Sequence, residues 1–140
     1  MKVVVDTSVV VRVLLGEPHP VPCWGKWDQA YVSTLVQTEF YRVADRLRLE
    51  GAFTDHDRVQ VARDFDLFWS TCHKVFPDAR ILKRAAGSFP TILGTLDAIH
   101  LSTILLLENQ LQESLTLLTH DRQLAAAAAA CGVEVIGAST

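Results

Sequence analysis

Short apolar runs alternate with longer amphipathic stretches along the whole chain. Val3-Val-Val5 is β-branched and does not alternate, as expected of a strand covered on both faces. Ser8 to Leu15 continues as a helix that Gly16 and Pro18 terminate. Residues 16–29 carry Pro18, Pro20, Pro22, Trp24 and Trp27, a loop or short helix that periodicity does not distinguish. Ala30 to Ser33 reads as the second strand. Thr34 followed by Gln37 fits a capping box, and Val36, Phe40, Val43, Ala44 and Leu47 recur at helical spacing until Gly51. Thr54 with Asp57 opens another helix, through Val61, Phe65, Phe68 and Trp69.

His73 to Phe76 predicts a short strand, and Pro77-Asp78 starts a helix that runs to about Gly87. Residues 87–94 form a loop around Pro90. Thr95 begins the most apolar helix, with Ile99, Leu101, Ile104, Leu105 and Leu106. Leu115 to Thr119 is a strand, Asp121 caps an alanine-rich helix, and Val133 to Ile136 is a last strand. The six alanines at 125–130 suit close packing of a helix on a sheet. Strands alternating with helices predict right-handed crossovers and a parallel α/β sheet.

Length and composition sharpen this picture only modestly. The 140 residues suit one domain spanning 1–140, and 49% hydrophobic with 21% charged residues predicts a folded core. A net charge of −3 gives no global positive field, so any nucleic-acid binding must come from a local patch or from metal. Cys23, Cys72 and Cys131 are widely spaced and predict buried free thiols in a reducing compartment. No secretory leader and no membrane span is legible, which predicts a cytoplasmic protein.

The candidate chemistry lies in four carboxylates near strand ends: Asp6, Glu39, Asp97 and Asp121. Each has a structural explanation of its own. Asp6 and Asp121 could be helix caps, Asp97 could answer a helix dipole, and Glu39 could be a solvated helix residue. Jointly they suggest more, because open parallel sheets bind ligands at the carboxyl ends of strands, near the switch in strand order. Four anions gathered there repel one another, and a hard cation with oxygen ligands, Mg²⁺ or Mn²⁺, would cancel that repulsion. Such cations act on phosphate.

At these positions the chain resembles the PIN-domain ribonucleases, in particular the VapC-type toxins of toxin–antitoxin pairs. The stretches that carry the resemblance are Val3-Val-Val-Asp6-Thr-Ser8, Thr38-Glu39-Phe40, Leu96-Asp97-Ala-Ile-His100-Leu-Ser102 and Leu118-Thr-His-Asp121-Arg-Gln-Leu124. The resemblance implies a three-layer α/β/α sandwich with a mainly parallel central sheet. It implies a metal-dependent endoribonuclease whose Asp6, Glu39, Asp97 and Asp121 gather around Mg²⁺ or Mn²⁺. Thr7, Ser8 and Thr119 would support the site through their hydroxyls. The products would carry 5′-phosphate and 3′-hydroxyl ends, and the partners would be RNA, a cognate antitoxin and a second copy of the chain. The chain departs from the family pattern mainly at residues 16–29.

Arg12, Arg42, Arg46 and Arg122 are candidate contacts to RNA phosphate, since guanidinium forks suit phosphate oxygens; solvated helix ion pairs are the alternative. His100 lies one turn after Asp97. It could orient a phosphate or brace the site, but a histidine on an apolar helix more often packs, and packing is the favoured expectation. For the three tryptophans, packing is favoured over base stacking. An aspartate-nucleophile phosphatase would need a second acid two residues after Asp6, where Ser8 stands. A receiver domain would need a late lysine, and none follows Lys83. The remaining rival is a PIN-like module that binds RNA or protein without turnover.

Overall fold

The computed structural model describes residues 1–138. Five strands form one all-parallel sheet: β1 (Lys2–Val5), β2 (Gln29–Ser33), β3 (His73–Val75), β4 (Thr116–Leu118) and β5 (Glu134–Ile136), in the spatial order β3-β2-β1-β4-β5. The helices are α1 (Thr7–Leu14), α2 (Leu35–Leu49), α3 (Asp55–Ser70), α4 (Ala79–Ala85), α5 (Thr95–Leu111) and α6 (Arg122–Ala130). β1 is central, and the chain builds outward from it first through β2 and β3, then through β4 and β5. The strand order therefore switches between β1 and β4, and the crevice at their carboxyl ends is where a ligand belongs in such a sheet.

The strand period of two assigns the layers. Val3 and Val5 face one side, where they pack with Val9, Val10, Val36, Phe40, Val61 and Phe65 from α1, α2 and α3. Val4 faces the other side, with Leu101, Ile104 and Leu107 of α5 and Leu124, Ala127 and Ala128 of α6. α4 packs on α5. The result is the three-layer α/β/α arrangement, with β1 covered on both faces as its unbroken valine run requires. In α6, Ala125, Ala127 and Ala128 are fully buried, so the alanine tract serves close approach of helix to sheet.

The tryptophans pack, as expected. Trp24 stacks on Phe68 at 5.0 Å and meets Trp27 edge-on, while Trp69 stacks on Phe65, which itself stacks on Phe40. Residues 15–28 form turns without a helix, pinned by Val21 in the core and by the Trp24 stack. All three cysteines are free, but only Cys72 is buried; Cys23 and Cys131 are half-buried.

One local expectation fails. The capping box at Thr54 and Asp57 is complete, with both reciprocal bonds present. The one expected at Thr34 and Gln37 is absent. Thr34 already has helical backbone angles, and its amide extends the sheet by donating to Val75 O at 3.0 Å. An N-cap side chain needs an extended backbone to reach back over the first turn. Ser33 Oγ takes the role instead, accepting from Leu35 N at 3.3 Å.

Gly137 has a φ of +114°, and a Cβ there would lie 2.5 Å from the carbonyl oxygen of Thr119. Both the backbone angle and the contact exclude a side chain. Gly137→Ala is expected to lower stability by about 1–3 kcal/mol, read as a fall in thermal midpoint; an unchanged midpoint would show that this close approach is not maintained.

Candidate metal centre

The residues at the carboxyl ends of β1 and β4 interlock. Asp6 leaves β1 with extended angles and caps α1, its Oδ2 accepting weakly from Ser8 N at 3.4 Å. The same oxygen accepts from Ser8 Oγ at 2.6 Å and from Thr119 Oγ1 at 2.8 Å. Ser8 Oγ in turn accepts from His120 N at 2.9 Å, and Thr119 Oγ1 from Asp121 N at 3.0 Å. Two hydroxyls thus tie the end of β1 to the turn after β4. Asp121 caps α6, its Oδ1 accepting from Leu124 N at 2.9 Å. The structural and functional readings of these two aspartates are compatible, because capping uses one oxygen and leaves the other.

Glu39 reaches the same place from α2 and Asp97 from the first turn of α5. All four acids line one open cleft of about 410 Å³, together with Thr7, Ser8, Val11, Arg12, Glu17, Val43, Arg46 and His120. Of the four candidate arginines, Arg12 and Arg46 are brought to the cleft. Each is held loosely by an acid of its own, Arg12 by Glu17 at 4.0 Å and Arg46 by Glu50 at 3.9 Å. Arg42 lines a different depression and pairs with Asp45 at 3.3 Å. Arg122 is exposed and is not among the cleft residues.

His100 departs from the expectation of simple packing. It is 4% exposed, and its Nε2 lies 2.6 Å from Glu39 Oε1 and 3.9 Å from Asp6 Oδ1. Glu39 Oε1 also accepts from Thr7 Oγ1 at 2.8 Å. The sequence signal was its spacing of one turn from Asp97, which places it on the face that meets the sheet end. Glu17 and His120 are further cleft residues for which sequence supplied no directional signal.

The electrostatics follow from this geometry. Burial, then the charges of Asp121 and Asp6, push the Asp97 carboxyl up to about 6. Burial acts against the charge on Glu39, but the bond from His100, its positive charge and the Thr7 hydroxyl hold the carboxyl below the ordinary range. Burial likewise opposes charge on His100, yet the Glu39 bond and the charges of Asp6 and Glu39 raise its pKa. His100 thus braces the acidic cluster from its buried side, while Arg12 and Arg46 line the same cleft.

The donor set fits a hard divalent cation. Asp6 Oδ1 makes no hydrogen bond among the described residues, and Asp121 commits only Oδ1 to its cap. Asp97, raised by burial and then by the charges of Asp121 and Asp6, is a carboxylate that a nearby cation would relieve. A few oxygen ligands around an open, water-accessible cleft suit Mg²⁺ or Mn²⁺. Among the described residues no group of three or more His, Cys, Asp or Glu side chains is already closed to ligating geometry. The carboxylates stand apart, as mutual repulsion favours.

The family model of the PIN domain matches residues 3–130. Among solved structures the chain is similar to VapBC2 from Rickettsia felis, determined bound to a DNA fragment from their promoter. The match has a TM-score of 0.61 and 16% identity, covering 97% of this chain and 98% of that one, a likeness of fold. No curated protein matches the sequence.

The Asp97 shift carries a stability consequence. Its folded-state pKa of about 6 lies above the ordinary 3.8, so the fold holds the proton more tightly than the unfolded chain does. Stability is therefore lost as pH rises through that window, and the loss is complete above it. Asp97→Asn is expected to stabilise the metal-free protein by about 1–2 kcal/mol near neutral pH, the shift being discounted for water access. Near pH 3, below the unfolded value of 3.8, the gain should vanish. Thermal melts at both pH values check this; equal melting of variant and parent near neutral pH would show that Asp97 is not under electrostatic pressure.

Proposed function

Because the chain belongs to the PIN domain family, we propose that it is a Mg²⁺- or Mn²⁺-dependent endoribonuclease of the VapC type, the toxin of a type II toxin–antitoxin pair. The observation that carries the reading is the meeting of Asp6, Glu39, Asp97 and Asp121 in one cleft from four separate segments. A surface that only binds gains nothing from drawing like charges together, whereas a cation site requires it.

In this reading Asp6, Asp97 and Asp121 hold the cation, with Glu39 joining directly or through water. A cation held there would supply Lewis-acid activation of water and offset negative charge developing on the phosphoryl oxygens. The protein's own part is positional. Thr119 and Ser8 fix the Asp6 carboxylate through one oxygen and leave the other to the cleft. Arg12 and Arg46 line the same cleft and suit non-bridging phosphate oxygens of the bound strand. Water oxygen bonds to phosphorus, the P–O3′ bond breaks, and the 3′ oxygen departs as a hydroxyl, leaving a 5′-phosphate.

The same reading places the protein in the cytoplasm as a homodimer held in check by a cognate antitoxin. The likeness in fold to VapBC2 supports the antitoxin. No described helix is long and apolar enough to cross a membrane. The alternative is a catalytically silent PIN-like module that binds RNA or protein, and its one supporting observation is that the carboxylates are not already closed around a point.

Cleavage separates the two. Purified protein, freed of any co-purifying antitoxin, should cut RNA with Mn²⁺, stop with EDTA, and lose activity on Asp6→Asn. Cleavage that survives this substitution, or no cleavage of any RNA together with no metal binding, would overturn the nuclease reading. The arginines give a graded test. Arg12→Ala and Arg46→Ala should each weaken RNA binding across sequences alike and lower the salt slope by about 1. Arg42→Ala should leave both nearly unchanged. Equal effects at Arg42 and Arg46 would mean that RNA does not follow the cleft.

A further inference from the structure

Glu39 differs from the other three acids in how its oxygens are used. Its Oε1 accepts two hydrogen bonds, from Thr7 Oγ1 at 2.8 Å and from His100 at 2.6 Å. The donors come from α1 and α5, so three helices meet on one oxygen atom. A carboxylate oxygen offers two lone-pair sites in its plane, and an ionised carboxylate can only accept. The short contact therefore requires the hydrogen on His100 Nε2, and the two donors together saturate Oε1.

His100 is too deeply buried to touch a polyanion in the cleft, and it does not line that cleft. Nor is it an ordinary core residue, because its ring is bonded to one acid of the site and lies 3.9 Å from a second. A histidine that only filled space would not need this alignment, and burying an unpaired polar ring would be costly. Partners that orient a site's ligands from behind recur in metal centres and set how those ligands are presented.

We propose that His100 is a positioning residue which, with Thr7, occupies Oε1 and commits Glu39 to act through Oε2 alone. Glu39 then meets the cation or a water as a single fixed acceptor and cannot chelate with both oxygens. The four acids divide accordingly: Asp6, Asp97 and Asp121 form the main holding set, and Glu39 sets direction more than affinity. This assignment rests on the nuclease reading for its catalytic consequence, but not for the hydrogen bond itself.

The test compares parent, His100→Leu, His100→Gln and Thr7→Val by RNA cleavage, Mn²⁺ calorimetry and proton NMR of the metal-free protein. The parent should show a low-field imidazole N–H signal from His100 that Glu39→Gln weakens or shifts. His100→Leu should lower kcat by about 10–100-fold, with KM and Mn²⁺ affinity near those of the parent. His100→Gln, whose amide can still donate, should recover much of kcat, and Thr7→Val should show a smaller loss of the same kind.

Parental kcat in His100→Leu would overturn the assignment. So would a loss fully restored by excess Mn²⁺, since that would place the effect on holding the metal. If His100→Leu does not fold, Thr7→Val and the NMR signal decide, and parental kcat in Thr7→Val or absence of the signal overturns it. A parent that neither binds Mn²⁺ nor cuts RNA is a separate failure, that of the nuclease reading, and would remove the catalytic role with it.

Discussion

Two hydroxyl hydrogen bonds converge on Asp6 Oδ2, one from Ser8 and one from Thr119. They join the residue leaving β1 to the turn after β4, across the switch in strand order. The rest of the site depends on this junction. Through Ser8 it fixes the amide of His120, and through Thr119 that of Asp121, so the two ends of the sequence reach the cleft in a set register. The sheet alone aligns β1 with β4. The hydroxyls convert that alignment of backbones into an alignment of carboxylates.

The arrangement is expensive in electrostatic terms. Burial and its acidic neighbours push the Asp97 carboxyl up to about 6, and among the described residues His100 is the one buried base beside the acids. Ordinary selection for stability would remove such a cluster, because neutralising one acid relieves the others. Its presence fits a site whose stability and function pull in opposite directions, as sites that must receive a cation commonly do. The apolar layers on both faces of the sheet supply the margin: Val3, Val5, Phe40, Phe65, Leu101 and Ile104 are all essentially inaccessible to water.

Much of the fold was legible because β1 is an unbroken β-branched run and the amphipathic helices carry strong periodic signals. Val3 to Val5 and the Phe40 and Phe65 stripes leave little ambiguity about what is buried. The acids were legible because they sit where apolar runs end, positions that a parallel sheet brings together. Three features were not. The Thr34 cap failed because the amide is claimed by Val75, a partner 41 positions away whose approach no local pattern records. The His100 bond to Glu39 spans 61 positions, and one histidine on an apolar helix looks the same whether it packs or pairs. Arg42 and Arg46 lie one turn apart, yet small differences in helix rotation send one to the cleft and the other to Asp45. Local propensity is written in the sequence; long-range hydrogen-bond partners and the aim of long side chains are decided by tertiary packing.

If the four acids form a cation site and not merely a set of caps, crystals grown with Mn²⁺ should show it by anomalous scattering. A peak is expected in the cleft within about 2.1–2.2 Å of an oxygen of Asp6 and of Asp97 or Asp121. A well-ordered cleft with no peak at millimolar Mn²⁺, and with the carboxylates turned to solvent or to their own helix amides, would contradict a cation site.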